Sequence, residues 1–254
     1  MYTTLRTISN RLYRPSFSPT WIHHRSISQP SRVLSSPLKS STPSPTTCPS
    51  CSVTLSPTTS PTPLCPSCQS LVPPPPPSTS HFNLFSLPSP NRYSIDLKSL
   101  KREFLKLQQQ VHPDRFVGAQ GGEKESWAKL WSSRVNEAWK TLSNDRERAE
   151  YLLSLNDVTI GESDPVTDPE LLMSIMETRE LLEEAETLDQ VEQIRNQNSQ
   201  QVKEAIELLK KAFDETTPPD LELARNLVIQ LKYLDNVETV CREWSPGKRV
   251  EIKH

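Results

Sequence analysis

The sequence predicts an all-α protein: a helical hairpin followed by a three-helix bundle, preceded by a disordered leader and a small cysteine-rich segment. Apolar residues recur at helical spacing on both sides of a proline-containing tripeptide, and this pattern predicts the hairpin. Glycine is absent from Glu162 to Pro246, where three amphipathic stretches predict the bundle. Residues 1–80 hold 16 of the 24 prolines, and no Asp or Glu precedes Asp96, so the chain joins two differently built parts.

The first 40 residues form an acid-free leader that is rich in Arg, Ser and Thr. Leu5, Ile8 and Leu12 recur at helical spacing among the arginines, which is typical of a mitochondrial transit peptide. A merely disordered basic tail is the alternative interpretation. Because no stretch has the apolar length of a membrane span or a secretory signal core, we expect the mitochondrial matrix as the location and no membrane partner.

Two C-x2-C pairs follow within residues 41–80: Cys48, Cys51, Cys65 and Cys68. Two pairs at this separation can place four thiolates around one structural Zn²⁺, and the metal would supply order that the few apolar residues between them cannot. Zinc knuckles often have Gly after the second Cys of each pair, whereas this chain has Ser52 and Gln69. Cysteines stranded in a low-complexity linker are therefore the alternative. We expect no other cofactor.

Five consecutive prolines, Pro73 to Pro77, separate the cysteines from the helices. Such a run favours a stiff polyproline spacer, which we expect to keep the cysteine segment away from the hairpin. The apolar residues between His81 and Leu87 predict a short first helix that covers the hairpin.

The first long helix is predicted to begin after Asp96 as N-cap and to stop at Val111, because Pro113 pushes the residue before it out of the α region. One face has apolar residues at a 3, 4, 3, 4 spacing: Leu97, Leu100, Phe104, Leu107 and Val111. The water-facing side is basic and carries Lys98, Lys101, Arg102 and Lys106. The helix ends in an exposed, rigid tripeptide, His112-Pro113-Asp114, which Arg115 follows.

A loosely ordered loop from Phe116 to Gly122 is predicted next, and a second helix from about Glu123 to Leu142. Its apolar stripe can pack antiparallel against the first helix: Trp127, Trp131, Val135, Ala138 and Leu142. A short third helix is predicted from Asp145 to Leu155. We expect this hairpin unit to occupy residues 81–157.

Residues 158–254 are predicted to form the three-helix bundle. Its first helix begins at Asp168, with Pro169 at the first helical position, and runs to about Leu188. The second spans about Val191 to Phe213, and the third begins near Asp220. The short turns between these helices favour an antiparallel arrangement.

The first bundle helix has more apolar residues than one buried face requires. Leu171, Ile175, Leu182 and Ala185 can form its core stripe. A neighbouring face combines apolar with acidic residues: Leu172, Met173, Met176, Glu177, Glu180 and Glu184. This face suits a protein-binding surface, because methionine adapts well to a partner. A thicker bundle that buries both faces is an equal alternative from spacing alone.

The hairpin resembles the J-domain, the module by which co-chaperones activate DnaK-type ATPase chaperones. The resemblance rests on the tripeptide at 112–114 after a basic helix, on Val135-Asn136-Glu137-Ala138-Trp139, on Leu142-Ser143 and on Arg148-Ala149-Glu150-Tyr151. Together with the stretch LLMSIMETRELLEEAE from Leu171, these residues are similar to HscB, the J-type co-chaperone of iron–sulfur cluster biogenesis. The four-cysteine segment is similar to that of the longer eukaryotic members.

The resemblance implies two partners, a mitochondrial DnaK-type chaperone and the iron–sulfur cluster scaffold protein. It implies chaperone contact by His112, Pro113 and Asp114, with steering by Lys98, Lys101, Arg102, Lys106 and Arg115. It implies scaffold contact by Leu172, Met173, Met176, Glu177, Glu180 and Glu184, and by Tyr233 of the last helix. The expected function is delivery of the loaded scaffold to the chaperone with stimulation of its ATPase and promotion of cluster transfer.

The sequence offers no Walker loop, no histidine pair at metal spacing and no nucleophile with a plausible base, so we expect no catalytic site. Basic and aromatic residues are absent between Cys48 and Cys68, which argues against a nucleic-acid partner. The alternative function is a general mitochondrial J-domain co-chaperone for unfolded or imported clients. Such a protein would need a broad apolar groove.

Overall fold

The computed structural model describes residues 46–55, 61–87, 91–117, 122–161 and 168–246. These ranges contain one short antiparallel strand pair and seven α-helices, so the all-α prediction is confirmed. The strands are β1 (Thr46–Thr47) and β2 (Thr54–Leu55). The helices are α1 (His81–Leu84), α2 (Leu97–Val111), α3 (Glu123–Ser143), α4 (Asp145–Ser154), α5 (Pro169–Glu184), α6 (Leu188–Lys210) and α7 (Leu221–Glu243). The predicted transit peptide lies outside the described residues.

Helices α2 and α3 form the predicted hairpin, which α1 and α4 complete. The Asp96 carboxylate accepts a hydrogen bond from the Lys98 amide, which confirms Asp96 as the N-cap of α2. Leu97 differs from the prediction, because it is 44% exposed and the packed face of α2 begins one turn later, at Leu100. The predicted first helix also ends early, at Leu84.

Helix boundaries in the bundle differ from the prediction at the first turn. Helix α5 ends at Glu184, and α6 begins at Leu188, three residues earlier than expected. The cause is a capping box: the Thr187 hydroxyl accepts from the Gln190 amide, and the Gln190 side chain accepts from the Thr187 amide. Helix α6 continues as a wider π-helical turn from Lys211 to Glu215.

One large core joins the hairpin to the bundle. Residues of α2, α3 and α4 pack in it together with residues of α6 and α7, and α4 lies against α7. Trp131 is a fully buried member of this core. Because this core is continuous, the two helical regions are not joined by a flexible linker alone.

A second, smaller core holds α5 against α6 and α7. Its buried members are Ile175, Leu182, Val191, Ile194, Tyr233, Val237 and Cys241. Leu171 and Ala185 are half-buried at its edge, as the predicted core stripe of α5 requires. Helix α5 therefore covers one side of the bundle. The face of α5 that points away from the bundle is exposed to solvent.

The cysteine segment lies against the hairpin, contrary to the expectation that a proline spacer holds it away. Leu71 is buried in the large core, and Trp131 Nε1 donates to the Val72 carbonyl at 2.9 Å. Arg134 donates to the carbonyls of Pro75 and Thr79, so the proline run itself follows the surface of α3. A proline run cannot hold the cysteine segment away from the hairpin when Pro75 within it, and Val72 and Thr79 on either side of it, are bound to α3 in this way.

Within the described ranges, none of the helices combines the length and the apolar character that crossing a bilayer demands.

Candidate functional site

The tripeptide His112-Pro113-Asp114 lies at the end of α2, where the chain changes to a 3-10 turn from Pro113 to Phe116. His112 Nδ1 accepts from the Asp114 amide at 3.3 Å and lies 3.7 Å from an Asp114 carboxylate oxygen. Both side chains are exposed. The residues at either end are anchored, since Val111 is buried and Phe116 packs against the large core. The turn therefore presents two polar side chains on a fixed backbone.

Phe116 was expected to begin a loosely ordered loop, and the structure corrects this. It closes the 3-10 turn and is half-buried. The apolar character of this residue, directly after a proline turn, is a sequence signal from which the anchor could have been predicted. The predicted loop residues 118–121 lie outside the described part of the chain.

The basic face of α2 is exposed as predicted and lines a shallow groove. The groove residues are Lys98, Lys101, Arg102, Leu105, Lys106 and Gln109. Arg115 Nη1 donates to the Gln109 carbonyl at 2.7 Å, which ties the residue after the tripeptide back to the same helix. Leu105 is half exposed among these basic side chains. It was not predicted as a site residue, because it lies outside the buried stripe of the helix. The surface suits an acidic partner that also offers an apolar contact.

The four cysteines of the two C-x2-C pairs come together. Their Sγ atoms all lie within 4.8 Å of one another, with 3.6 Å between Cys48 and Cys68 and 3.7 Å between Cys51 and Cys65. Four sulfurs around one zinc ion, each at about 2.3 Å, lie about 3.8 Å apart in a tetrahedron. The cluster therefore fits a thiophilic ion of this size.

The two cysteine turns have the same backbone geometry. The amides of Ser52 and Gln69 donate to the carbonyls of Cys48 and Cys65, at 2.8 and 2.9 Å. Ser52 and Gln69 each have a φ of 58°, the left-handed conformation that favours glycine. These are the two positions where glycine was expected and is missing. The turn geometry is thus kept without glycine, at a cost in backbone strain.

The surroundings of Cys48 favour its thiolate form. Burial raises the pKa of Cys48, but hydrogen bonds from the amides of Ser50 and Cys51, and contact with the Cys68 thiol, outweigh it and lower the pKa to about 6. The pKa of the neighbouring Cys51 is raised instead, because a hydrogen bond from the Val53 amide, which lowers it, is outweighed by burial and by the sulfurs of Cys68, Cys48 and Cys65. Thiolates are the form in which cysteine binds metals, so the cluster without an ion favours the thiolate at Cys48 and the thiol at Cys51. The fifth cysteine, Cys241, is buried in the small core, and burial raises its pKa to about 11.

The outer face of α5 is exposed. This excludes the alternative of a thicker bundle that buries both faces of the helix. Leu172, Met173 and Met176 are 43%, 72% and 59% exposed. The three predicted acidic residues of this face are exposed as well: Glu177, Glu180 and Glu184. Leu181, which the sequence analysis did not single out, adds a further exposed apolar side chain to α5. We refer to Leu172, Met173 and Met176 as the α5 patch.

Tyr233 does not lie on this exposed face. It is 8% exposed and packs in the small core beneath α5, because the stripe of α7 to which it belongs faces the bundle interior. Burial raises the pKa of its phenol, and its hydroxyl has no hydrogen-bond partner among the described residues. Its position makes Tyr233 a support for α5 and the α5 patch.

The chain is similar to known proteins. The family model described as the HSCB C-terminal oligomerisation domain matches residues 167–241. A co-chaperone protein HscB homolog of Paraburkholderia phymatum is 41% identical over 114 residues, which are 44% of this chain and 63% of that protein. An iron-sulfur cluster co-chaperone protein HscB homolog of Arabidopsis thaliana is 35% identical over 150 residues, 59% of this chain and 58% of that protein.

The fold is also similar to solved structures. The crystal structure of human co-chaperone protein HscB matches with a TM-score of 0.69 and 28% identity, and covers 78% of this chain and 98% of the human chain. Chaperone HscB from Vibrio cholerae matches with a TM-score of 0.55 and 25% identity, and covers 64% of this chain and 95% of that chain. The C-terminal domain match, the similar sequences and the shared architecture agree in relating this chain to HscB co-chaperones, and the chain spans about 60% of the length of the bacterial and plant relatives.

Proposed function

We propose that this protein is an iron–sulfur cluster co-chaperone that binds the cluster scaffold protein and delivers it to a DnaK-type chaperone, whose ATPase it stimulates. The observation that supports this most directly is the exposed His112-Pro113-Asp114 turn, anchored at the end of a basic helix in the same chain as the exposed α5 patch. The name of the Arabidopsis relative supports the iron–sulfur assignment. The protein itself performs no chemical step.

On the chaperone side, the basic face of α2 provides long-range attraction toward an acidic surface. Lys98, Lys101 and Arg102 are exposed in the shallow groove, so attraction would increase the association rate and weaken with salt. His112 and Asp114 then supply hydrogen-bonding groups at one end of this surface. Because Val111 and Phe116 anchor the turn, little conformational entropy is lost when the contact forms.

On the scaffold side, the α5 patch offers apolar area beside the three acidic residues of the same helix. Methionine side chains adapt their shape to a partner, and carboxylates select against acidic competitors. Ile175 and Leu182 hold α5 on the bundle from the opposite face, so the patch is presented by a helix that is already formed. Binding of scaffold and chaperone to one molecule raises the effective concentration of each for the other.

We also propose that the four cysteines hold one Zn²⁺ as a structural ion, and that the protein acts in the mitochondrial matrix. The sulfur positions support the metal, since the Cys48–Cys68 and Cys51–Cys65 separations of 3.6 and 3.7 Å are close to the value of a tetrahedral ZnS₄ site and all four sulfurs lie within 4.8 Å of one another. The acid-free, Arg-rich leader supports the location.

The decisive experiment measures steady-state ATP hydrolysis by a mitochondrial DnaK-type chaperone with this protein, with the scaffold, and with both. We expect stimulation that increases more than additively when both are present. Stimulation that is indifferent to the scaffold would favour a general co-chaperone for unfolded clients. Absence of stimulation in every mixture would overturn the proposal.

Two variants assign the effect to the two surfaces. His112→Gln should abolish ATPase stimulation and leave helicity unchanged, whereas Lys203→Gln, an exposed change on α6, should leave stimulation intact. The double variant Leu172→Ala and Met173→Ala should weaken scaffold binding by more than about 2 kcal/mol in calorimetry if these residues are hot spots. Leu208→Ala is a matched control, because Leu208 is as exposed as Leu172 but lies on α6.

A further inference from the structure

The chain segment from Ser70 to Val72 belongs both to the cysteine cluster and to the hairpin core. Successive side chains of an extended segment point in opposite directions. Leu71 is buried in the large core with the residues of α1, α2 and α3. Val72 faces the other way and packs against Cys48 and Cys65. One short segment thus connects two hydrophobic clusters.

The same segment is the return arm of the second cysteine turn. The Cys65 amide donates to the Ser70 carbonyl, and the Val72 amide donates to the Pro63 carbonyl, both at 2.9 Å. These bonds set the position of Cys65 relative to Val72. Any ion that orders the second cysteine turn therefore also orders the arm that contacts the hairpin.

Side chains of α3 complete the connection. Trp131 is fully buried, and its Nε1 donates to the Val72 carbonyl at 2.9 Å. Lys124 Nζ lies 3.2 Å from the Ser70 hydroxyl, which also accepts from the Ser50 hydroxyl of the first cysteine turn at 2.9 Å. Both cysteine turns are thereby linked to a single helix of the hairpin.

We infer that the four-cysteine segment is a metal-dependent brace of the hairpin, so that metal binding at the cysteines and folding of α1 to α3 are thermodynamically linked. An ion that binds the folded state and not the unfolded chain stabilises everything that folds with its site. The segment from 46 to 72 has few other apolar residues with which to hold Val72 in place. Loss of the ion therefore releases the segment from Ser70 to Val72, which covers Trp131. The inference rests on the metal site proposed above and is independent of the proposed partners.

Amide hydrogen exchange on the full chain tests the linkage. Metal content is measured first, and exchange is then compared between the zinc-loaded protein and the same protein after chelation and removal of the ion. We expect at least tenfold faster exchange in α1 and in the first half of α3 after chelation. We expect much smaller changes in α5, which packs only in the small core. The Cys241→Ser variant keeps the four-cysteine cluster intact. Chelation of its zinc should therefore change amide exchange in the same way as in wild type.

A pair of tryptophan variants tests the connection from the opposite direction. Trp131→Phe keeps a buried aromatic ring but removes the donor to Val72, so zinc affinity should fall at least threefold in competition with a chromophoric chelator. Trp127→Phe, on the same helix but without this bond, should bind zinc like wild type. If Trp131→Phe does not fold, the hydrogen-exchange comparison on wild type still decides.

The outcomes are separable. Zinc bound at one equivalent with unchanged exchange in α1 and α3 after its removal would overturn the linkage and leave the metal site intact. Protein that retains no zinc after metal-replete expression, and whose hairpin is nevertheless fully protected, would overturn both. A failure to stimulate a chaperone would leave the linkage untouched.

Discussion

The carboxylate of Asp214 accepts hydrogen bonds from the backbone amides of both Tyr93 and Ser94, at 2.9 and 2.8 Å. Asp214 lies in the π-helical turn after α6, whereas Tyr93 and Ser94 lead into α2. The Tyr93 ring stacks on Phe213 at 5.7 Å, and the Arg148 guanidinium lies 4.7 Å above the Tyr93 ring. The bundle thus fixes the chain that enters the basic helix.

Replacement of Asp214 should destabilise the whole protein. Asp214→Ala leaves two backbone amides without their acceptor and should lower the free energy of unfolding by about 1–3 kcal/mol. Glu215→Ala changes the next residue, which is exposed, and should stay within about 0.5 kcal/mol of wild type. Urea titration followed by circular dichroism measures both. Equal stability of the two variants would show that the Asp214 contacts contribute nothing.

Glycine at the two strained positions should stabilise the cysteine turns. Gln69→Gly removes the cost of holding a side chain at a φ of 58°, and should raise the free energy of unfolding of the zinc-loaded protein by about 0.5–1 kcal/mol. Ser52→Gly should act in the same direction. Ser67→Gly lies in the same turn at an exposed position without a positive φ, and should give no gain. Thermal unfolding of the three variants checks this order of stabilities. A Gln69→Gly variant less stable than wild type would contradict the prediction.

Tyr233 should be tested with two substitutions, because its ring and its hydroxyl have different surroundings. Tyr233→Phe removes a buried hydroxyl that has no hydrogen-bond partner among the described residues. The substitution should leave the free energy of unfolding unchanged or raise it by up to about 1 kcal/mol. Tyr233→Ala opens a cavity beneath α5 and should cost about 3–5 kcal/mol. Denaturant titration measures both values. A large loss in Tyr233→Phe would mean that the hydroxyl has a hydrogen bond that the described residues do not provide.

Acid should weaken the contact between α6 and α7. Glu238 accepts hydrogen bonds from Arg195 Nε at 3.0 Å and from Arg195 Nη2 at 2.8 Å, and this pairing lowers the pKa of Glu238 below its usual 4.5. A carboxylate with a lowered folded-state pKa contributes stability above its unfolded pKa, and this contribution is lost as pH falls through the folded value.

Glu238→Gln should therefore be less stable than wild type at pH 7 and should lose less stability between about pH 5 and pH 3. Thermal unfolding across this range in low salt measures the difference. Glu180→Gln, an exposed change on α5, is the control and should keep the wild-type pH dependence. Parallel pH profiles for wild type and Glu238→Gln would contradict the assigned pairing.

Local sequence patterns predicted most of the helices and the exposed tripeptide. Asp96 and Asp168 are N-caps as expected, and Pro113 ends α2 where its ring excludes further helix. These features depend on neighbours within four residues along the chain, which the sequence displays directly. The Thr187–Gln190 capping box was also legible in the sequence, although the predicted boundary between α5 and α6 overlooked it.

Only the tertiary structure decided which faces are buried and which segments meet. The spacing of α5 left its outer face undecided, because helical periodicity orders side chains around an axis but does not say how many neighbours the helix has. The three-dimensional packing buries Tyr233 and exposes Met173. It also brings Val72 to Trp131 and Asp214 to Tyr93, pairs that are 59 and 121 residues apart in the chain. Such contacts depend on the shape of a shared core, which no local pattern encodes.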